Sequence, residues 1–252
     1  MFFRRLVMVS LLVGFVSGLV LTLGQQWKVA PIIFAAEEYE IADAAPEAAH
    51  SHAPVASQES AHAHDEEAWA PKDGAERFLF SVLSNVLMGV GFSVVLMAVM
   101  GQMQLSGITR STPVKGVLWG LGGFIAFFAA PGLGLPPEIP GVQAAALDSR
   151  QGWWVLTVLV TSGGLLLLAF GPTLTKLGGL LLLVLPHLVG APHLDGPEFT
   201  HPDPLAVETL ISLHADFIVA SALANLVFWG VLGLMSAWVL NRWVLKGIGR
   251  SA

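Results

Sequence analysis

The sequence predicts an all-α membrane protein: a polytopic bundle of six transmembrane helices, with a disordered, His- and acid-rich outer loop after the first span. Three observations carry that prediction. The 252-residue chain is 54% hydrophobic and 12% charged, where soluble domains carry about 25% charged residues, and its mean hydropathy is +0.70. Its apolar residues gather into long runs separated by polar connectors, several of them long enough to cross a bilayer. The charges on those connectors are sorted by sign along the chain.

Residues 1–36 hold the first span and its ends. Arg4 and Arg5 precede the apolar run Leu6 to Leu23, which exceeds the roughly 7–15 residues of a leader core and is followed by no clear A-x-A site, so it reads as a retained anchor. Gly14, Gly18 and Thr22 recur every four residues, a small-residue face on which another helix can pack closely.

Residues 37–77 change to Ala, Pro, Glu, Asp and His, a composition that cannot bury a core and predicts a disordered loop. The loop holds two His-x-His pairs, His50 with His52 and His62 with His64, among several carboxylates. Neutral imidazoles suit cobalt, nickel, copper or zinc, and the acids raise the local cation concentration, so the loop reads as a weak metal-capture segment or as a solvated spacer. The chain has no Cys, which excludes disulfides, thiolate metal sites and thiol nucleophiles and leaves imidazole, carboxylate and thioether as metal ligands.

Residues 78–252 form the rest of the bundle, with spans predicted near 78–100, 116–135, 153–170, 175–190 and 204–240. The fourth of these five, built on Leu177 to Val189, is the doubtful one. Thirteen residues reach only about 20 Å against a hydrocarbon core of about 30 Å, and Pro186, His187, Gly190 and Pro192 punctuate its end. Counting charges favours a crossing. With six spans Arg4, Arg5, Arg110, Lys115, Lys176, Arg242, Lys246 and Arg250 all fall on the inner side, whereas all 18 acids and all eight His fall outside. A re-entrant segment and five spans are the alternative.

That asymmetry points to a cation arriving from outside. His187, near the membrane, is either a structural hydrogen-bonder or a site residue, because an unpartnered imidazole there is costly. His214, Ser221 and Asn225 share one stripe of the last helix. With Asn85 and Met88 of the second span they either line a path or only bond helices together. The expected outer metal site joins His187 and His214, with Asp216 or Glu208 supplying an oxygen. Met97, Met100 and Met103, near the far end of the second span, read as core filler, with a thioether metal path as the alternative.

Several short motifs carry a resemblance. PEIPG at Pro137–Gly141, RQGWW at Arg150–Trp154 and PHLVGAP at Pro186–Pro192, with Arg4 and Arg5 at the start and Glu38, Tyr39 and Glu40 after the first span, resemble the CbtA family of probable cobalt transporter subunits. The resemblance implies a multi-pass subunit of the bacterial cytoplasmic (inner) membrane in a cobalamin-linked cobalt supply route. It also implies a small, single-span, His-tailed CbtB-type partner, and the family is commonly drawn with five spans. The expectation is a membrane subunit of a divalent transition-metal uptake system, with cobalt(2+) as the transported ion, no permanently bound cofactor, no nucleic-acid partner and both termini cytoplasmic. The alternative is a membrane-bound metal sensor or chaperone without transport. Neither G-x-x-x-x-G-K-[ST] nor H-E-x-x-H occurs, so neither nucleotide hydrolysis by that route nor zinc proteolysis is expected, and the chain reads as a non-enzyme.

Overall fold

A computed structural model describes residues 2–44 and 71–245, and they are almost entirely helical. Helix α1 (Phe2–Gly24) runs through a π-helical turn (Gln25–Val29) into α2 (Ala30–Ala44). Then come α3 (Ala75–Leu105), α4 (Pro113–Phe124) with a π-helical turn (Ile125–Ala129) and the short α5 (Ala130–Gly132), α6 (Leu147–Phe170), α7 (Thr173–Val189) and α8 (Pro204–Val239), which ends in a third π-helical turn (Leu240–Val244).

Helix limits follow local chemistry. At α4, Pro113 occupies the first turn and the Thr112 hydroxyl accepts from Lys115 N at 3.3 Å. At α8, Asp203 accepts from Leu205 N at 2.9 Å, with Pro204 opening the helix. The first helix continues past Glu37, where the loop was expected to begin. Ala35, Ala36, Glu37 and Glu38 are good helix formers, and Glu37 receives two bonds from Arg77 of α3, at 2.5 and 3.1 Å.

Glycine decides which helices touch. In α1 and α3, which run antiparallel, Gly14 lies on the backbone of Val90 and Gly18 on that of Val86; a β-carbon at Gly18 would sit 2.6 Å from Val86 Cα. In α4 and α8, also antiparallel, Gly120 lies on Trp229 and Gly116 on Gly233, where a β-carbon on Gly116 would come 2.7 Å from the Gly233 carbonyl oxygen. The small-residue face predicted on the first span is therefore a packing face, and Gly116 and Gly120 make a second on α4. Between the two pairs a core forms around Met97, Met100, Phe228 and Leu232, all inaccessible to solvent. The methionines fill space there, as expected.

Helix α7 completes the count. Among the described residues five helices are long and apolar enough to cross a membrane, and α7, with 17 residues, is shorter. It nevertheless lies antiparallel along α6: Gly179 faces Gly164, and Trp153 Nε1 donates to the Pro186 carbonyl at 3.2 Å. The chain thus leaves α6 at one end of the bundle and returns to the other, where Ala191 meets Gly134. The doubtful segment traverses the bundle in about 25 Å, given 1.5 Å per residue. Pro186, in the last turn, lacks the N–H that would bond the Leu182 carbonyl, and its own carbonyl accepts from Gly190 N at 3.0 Å.

The two ends of the bundle differ in charge. One gathers Arg4, Arg5, Arg110, Lys115 and Arg242, and there Gln104 donates to Asn241 at 3.2 Å. The other gathers the described acids and imidazoles, beginning with the Glu37–Arg77 and Glu138–Arg150 pairs. Both described chain ends lie at the basic face, because α1 runs antiparallel to α8 and contacts its final π turn.

Backbone contact at glycine makes a sharp test. Gly120→Leu should lower stability by at least about 3 kcal/mol, the upper end for overpacking, because it strikes backbone rather than a movable side chain. Gly122→Leu, two residues on and facing open space, should stay within about 1 kcal/mol. Thermal unfolding of the two variants in the same detergent reads the contrast.

Candidate functional site

At the acidic end two connectors close over the bundle, residues 133–146 and 190–203. They are joined by an antiparallel bridge between Val142 and Phe199, and Gln143 N donates to the Glu198 carbonyl at 2.8 Å. Ile139 and Phe199 are buried beneath the bridge and anchor both connectors to the core. Gly141 turns the first connector with φ of 85°, a conformation that favours glycine.

Buried His214 points from α8 into this cap. Its Nδ1 pairs with Glu198 Oε1, its Nε2 lies 2.9 Å from the Pro137 carbonyl oxygen, and the Phe199 ring meets it nearly edge-on. A carbonyl only accepts, so Nε2 is the donor in that contact. The imidazole therefore ties three segments together: the last helix and both connectors. Beside it opens a cavity of about 220 Å³, lined among others by Glu138, Arg150, His193, Glu198 and His214. Arg150 Nη1 reaches both oxygens of Glu138, at 2.7 and 2.6 Å, and holds that wall.

The expected site residues are distributed differently. His187 is exposed at the end of α7, edge-on to Trp153 with ring centroids 6.2 Å apart, and shares no partner with His214. Asp216 and Glu208 are exposed, and the oxygen at His214 comes from Glu198. Among the described residues no three His, Asp or Glu side chains converge in a metal-holding group. His50, His52, His62 and His64 lie outside the described residues. Glu198 was visible in the sequence only as one acid of an acidic loop. Its contact with a histidine 16 residues on depends on the bridge that folds the loop back.

Deeper in the bundle a polar layer surrounds the first π turn. Asn85 Nδ2 donates to Thr22 Oγ1 at 3.0 Å and to Gln25 Oε1 at 2.6 Å, and Gly24 packs on Ala224, between Ser221 and Asn225 of α8. Asn225 Nδ2 itself bonds the Ser221 carbonyl at 2.9 Å. Asn85 and the Ser221–Asn225 pair thus lie at one height against α1; the side-chain bonds of Asn85 are interhelical, whereas that of Asn225 stays within α8. Met88 does not belong with them: the buried stripe of α3 runs Asn85, Gly89, Ser93 and Leu96, and Met88 turns outward at 38% exposure.

The fold and this end together define a multi-pass helical membrane protein that gathers its described imidazoles and carboxylates, some paired with arginine, at one face and a basic cluster at the other. The family model described as probable cobalt transporter subunit (CbtA) matches residues 3–241. The chain belongs to the CbtA family of probable cobalt transporter subunits. Neither the curated proteins nor the solved structures contain a match.

The polar layer yields a contrast. Asn85→Leu should cost about 1 kcal/mol, the scale of interhelical hydrogen bonds in membranes, and Met88→Leu, on the outward face, less than about half of that. Chemical denaturation in mixed micelles measures both.

Proposed function

We propose that the protein is the membrane-embedded subunit of a divalent transition-metal uptake system with cobalt(2+) as cargo, taking the ion at the acidic face and passing it through the bundle. The single observation that carries this reading, beside the family match, is the segregation of charge. Carboxylates and imidazoles crowd the end where a cation would arrive, and the opposite end carries basic residues. By the positive-inside rule the basic end is cytoplasmic, which puts both termini inside and the 45–70 segment outside, in the bacterial inner membrane.

In this reading the His-x-His pairs at His50, His52, His62 and His64 raise the concentration of borderline cations at the acidic face. The Asn85, Ser221 and Asn225 layer offers neutral oxygens further along the route. The energy comes from outside the chain, since it has no Walker A sequence; a subunit of this family works with partners, and a small His-tailed CbtB-type membrane protein fits that role. A sensor or chaperone would need the outer ligands but no polar layer inside the bundle.

Orientation is read by reporter fusions: one at Ala252 should report cytoplasmic and one at Ser57 external, and an external C-terminus sinks the inward direction of transport. Replacing His50, His52, His62 and His64 together by Ala should reduce cobalt uptake severalfold at limiting metal and leave it near normal at saturating metal. Cellular uptake of radiolabelled cobalt across a concentration series measures this, and an unchanged response at limiting metal reduces the segment to a spacer.

A further inference from the structure

We infer that the 220 Å³ cavity at the acidic end is a receiving site for a partly hydrated divalent transition-metal ion, with His214 Nδ1 and Glu198 Oε1 as its two donors and His193 on its wall. This rests on the transport reading and names the groups that meet the cargo first.

Hydrogen positions at His214 lead to it. The Pro137 carbonyl accepts from Nε2, so in a neutral imidazole the remaining lone pair sits on Nδ1, and it points at a carboxylate oxygen, also an acceptor. Two acceptors stay in contact only around a positive charge. A bridging proton supplies it when no metal is bound; a divalent ion that enters the cavity displaces that proton and holds each atom about 2.1 Å from itself, which parts the two. An imidazole whose outer N–H is tied to a backbone carbonyl while its other nitrogen faces the ion is the arrangement that orients histidine ligands in metal sites. The two donors also differ usefully in access: the side chain of His214 is 8% exposed and that of Glu198 47%. One is fixed by packing; the other faces the cavity through which an ion arrives.

The remaining lining fits a transient guest. Glu138 is engaged by Arg150 and closes the wall without competing for the ion. His193 lines the same cavity and is exposed. The volume accommodates several waters at about 30 Å³ each, so the ion keeps part of its hydration shell and needs few protein donors. An imidazole and carboxylate set suits cobalt, nickel or zinc better than magnesium or calcium. That the described residues form no ready-made cluster of three agrees with a site that must let go, since closed four-ligand sites hold metal as a permanent part of the fold.

The test uses the full chain in nanodiscs with His50, His52, His62 and His64 replaced by Ala, titrated with Co²⁺ alone and followed by visible absorption and calorimetry. One saturable site is expected. Glu198→Gln should weaken it at least tenfold with an unchanged melting temperature, because the amide N–H still donates to Nδ1 and keeps the cap closed. His193→Ala should weaken it severalfold. Absence of saturable binding in the parent, or parent-like binding in both variants, overturns the site and makes His214 a structural clamp. Should His214→Ala fail to insert, those two variants still decide. Cobalt uptake that persists while binding is indifferent to Glu198 and His193 leaves the transport reading standing without this site; a parent that binds Co²⁺ here but moves none sinks transport alone.

Discussion

Backbone contact at glycine is the constraint on which the rest of the bundle depends. Inside a bilayer the hydrophobic effect does not pull helices together, because lipid tails are as apolar as leucine, so association rests on close van der Waals packing and interhelical hydrogen bonds. Gly14 and Gly18 against α3, Gly116 and Gly120 against α8, and Gly164 against Gly179 bring helix axes near enough for backbone atoms to touch. Each contact fixes a register as well as a distance. A shift of one turn would set a side chain against backbone in every pair.

Register at the glycines determines what meets at the acidic end. Because Gly120 is locked on Trp229 and Gly116 on Gly233, the far end of α4 and the connector after it arrive beside the first three turns of α8. That connector carries Pro137, whose carbonyl reaches His214. The α6–α7 hairpin, locked at Gly164 and Gly179 and again by Trp153 on Pro186, returns the chain to the same end and supplies Glu198. A histidine that looks isolated along an apolar helix is thus partnered from two directions, which removes the cost of burying it.

Much of this was legible in the sequence because membrane helices advertise themselves through composition. The spans, the small-residue faces and the sign of each end could be read from residue type and period alone. What could not be read was local geometry without a residue signature. The π turns at Gln25–Val29 and Ile125–Ala129 contain no Gly or Pro, and helix-breaking residues are the usual sign of an irregularity. The first π turn inserts a residue and so helps bring Gln25 onto Asn85. Met88 was placed on the interior by spacing from Asn85, but the stripe that α1 covers drifts toward Gly89 and Ser93, leaving Met88 outside. The partner of His214 escaped for a different reason: Glu198 reaches it through a loop whose path is set by the Val142–Phe199 bridge, and an isolated bridge leaves no period in the sequence.

The division between connectors and helices also explains how a cation could be bound firmly enough to be selected and loosely enough to move. Anionic groups inside the hydrocarbon region are expensive, and the described acids accordingly lie toward one end, with the strong oxygen at His214 supplied by a connector. The helices below offer only carboxamides and hydroxyls, Asn85, Gln25, Thr22, Ser221 and Asn225, which are uncharged and already bonded to one another or to backbone in part. A divalent ion leaving an imidazole and carboxylate for such neutral oxygens would lose electrostatic stabilisation while still dehydrated. Passage therefore requires either that water accompanies the ion or that the helices part to admit it, and the glycine contacts, which forbid gradual opening of α1 from α3 or α4 from α8, place any such parting where no glycine lock exists.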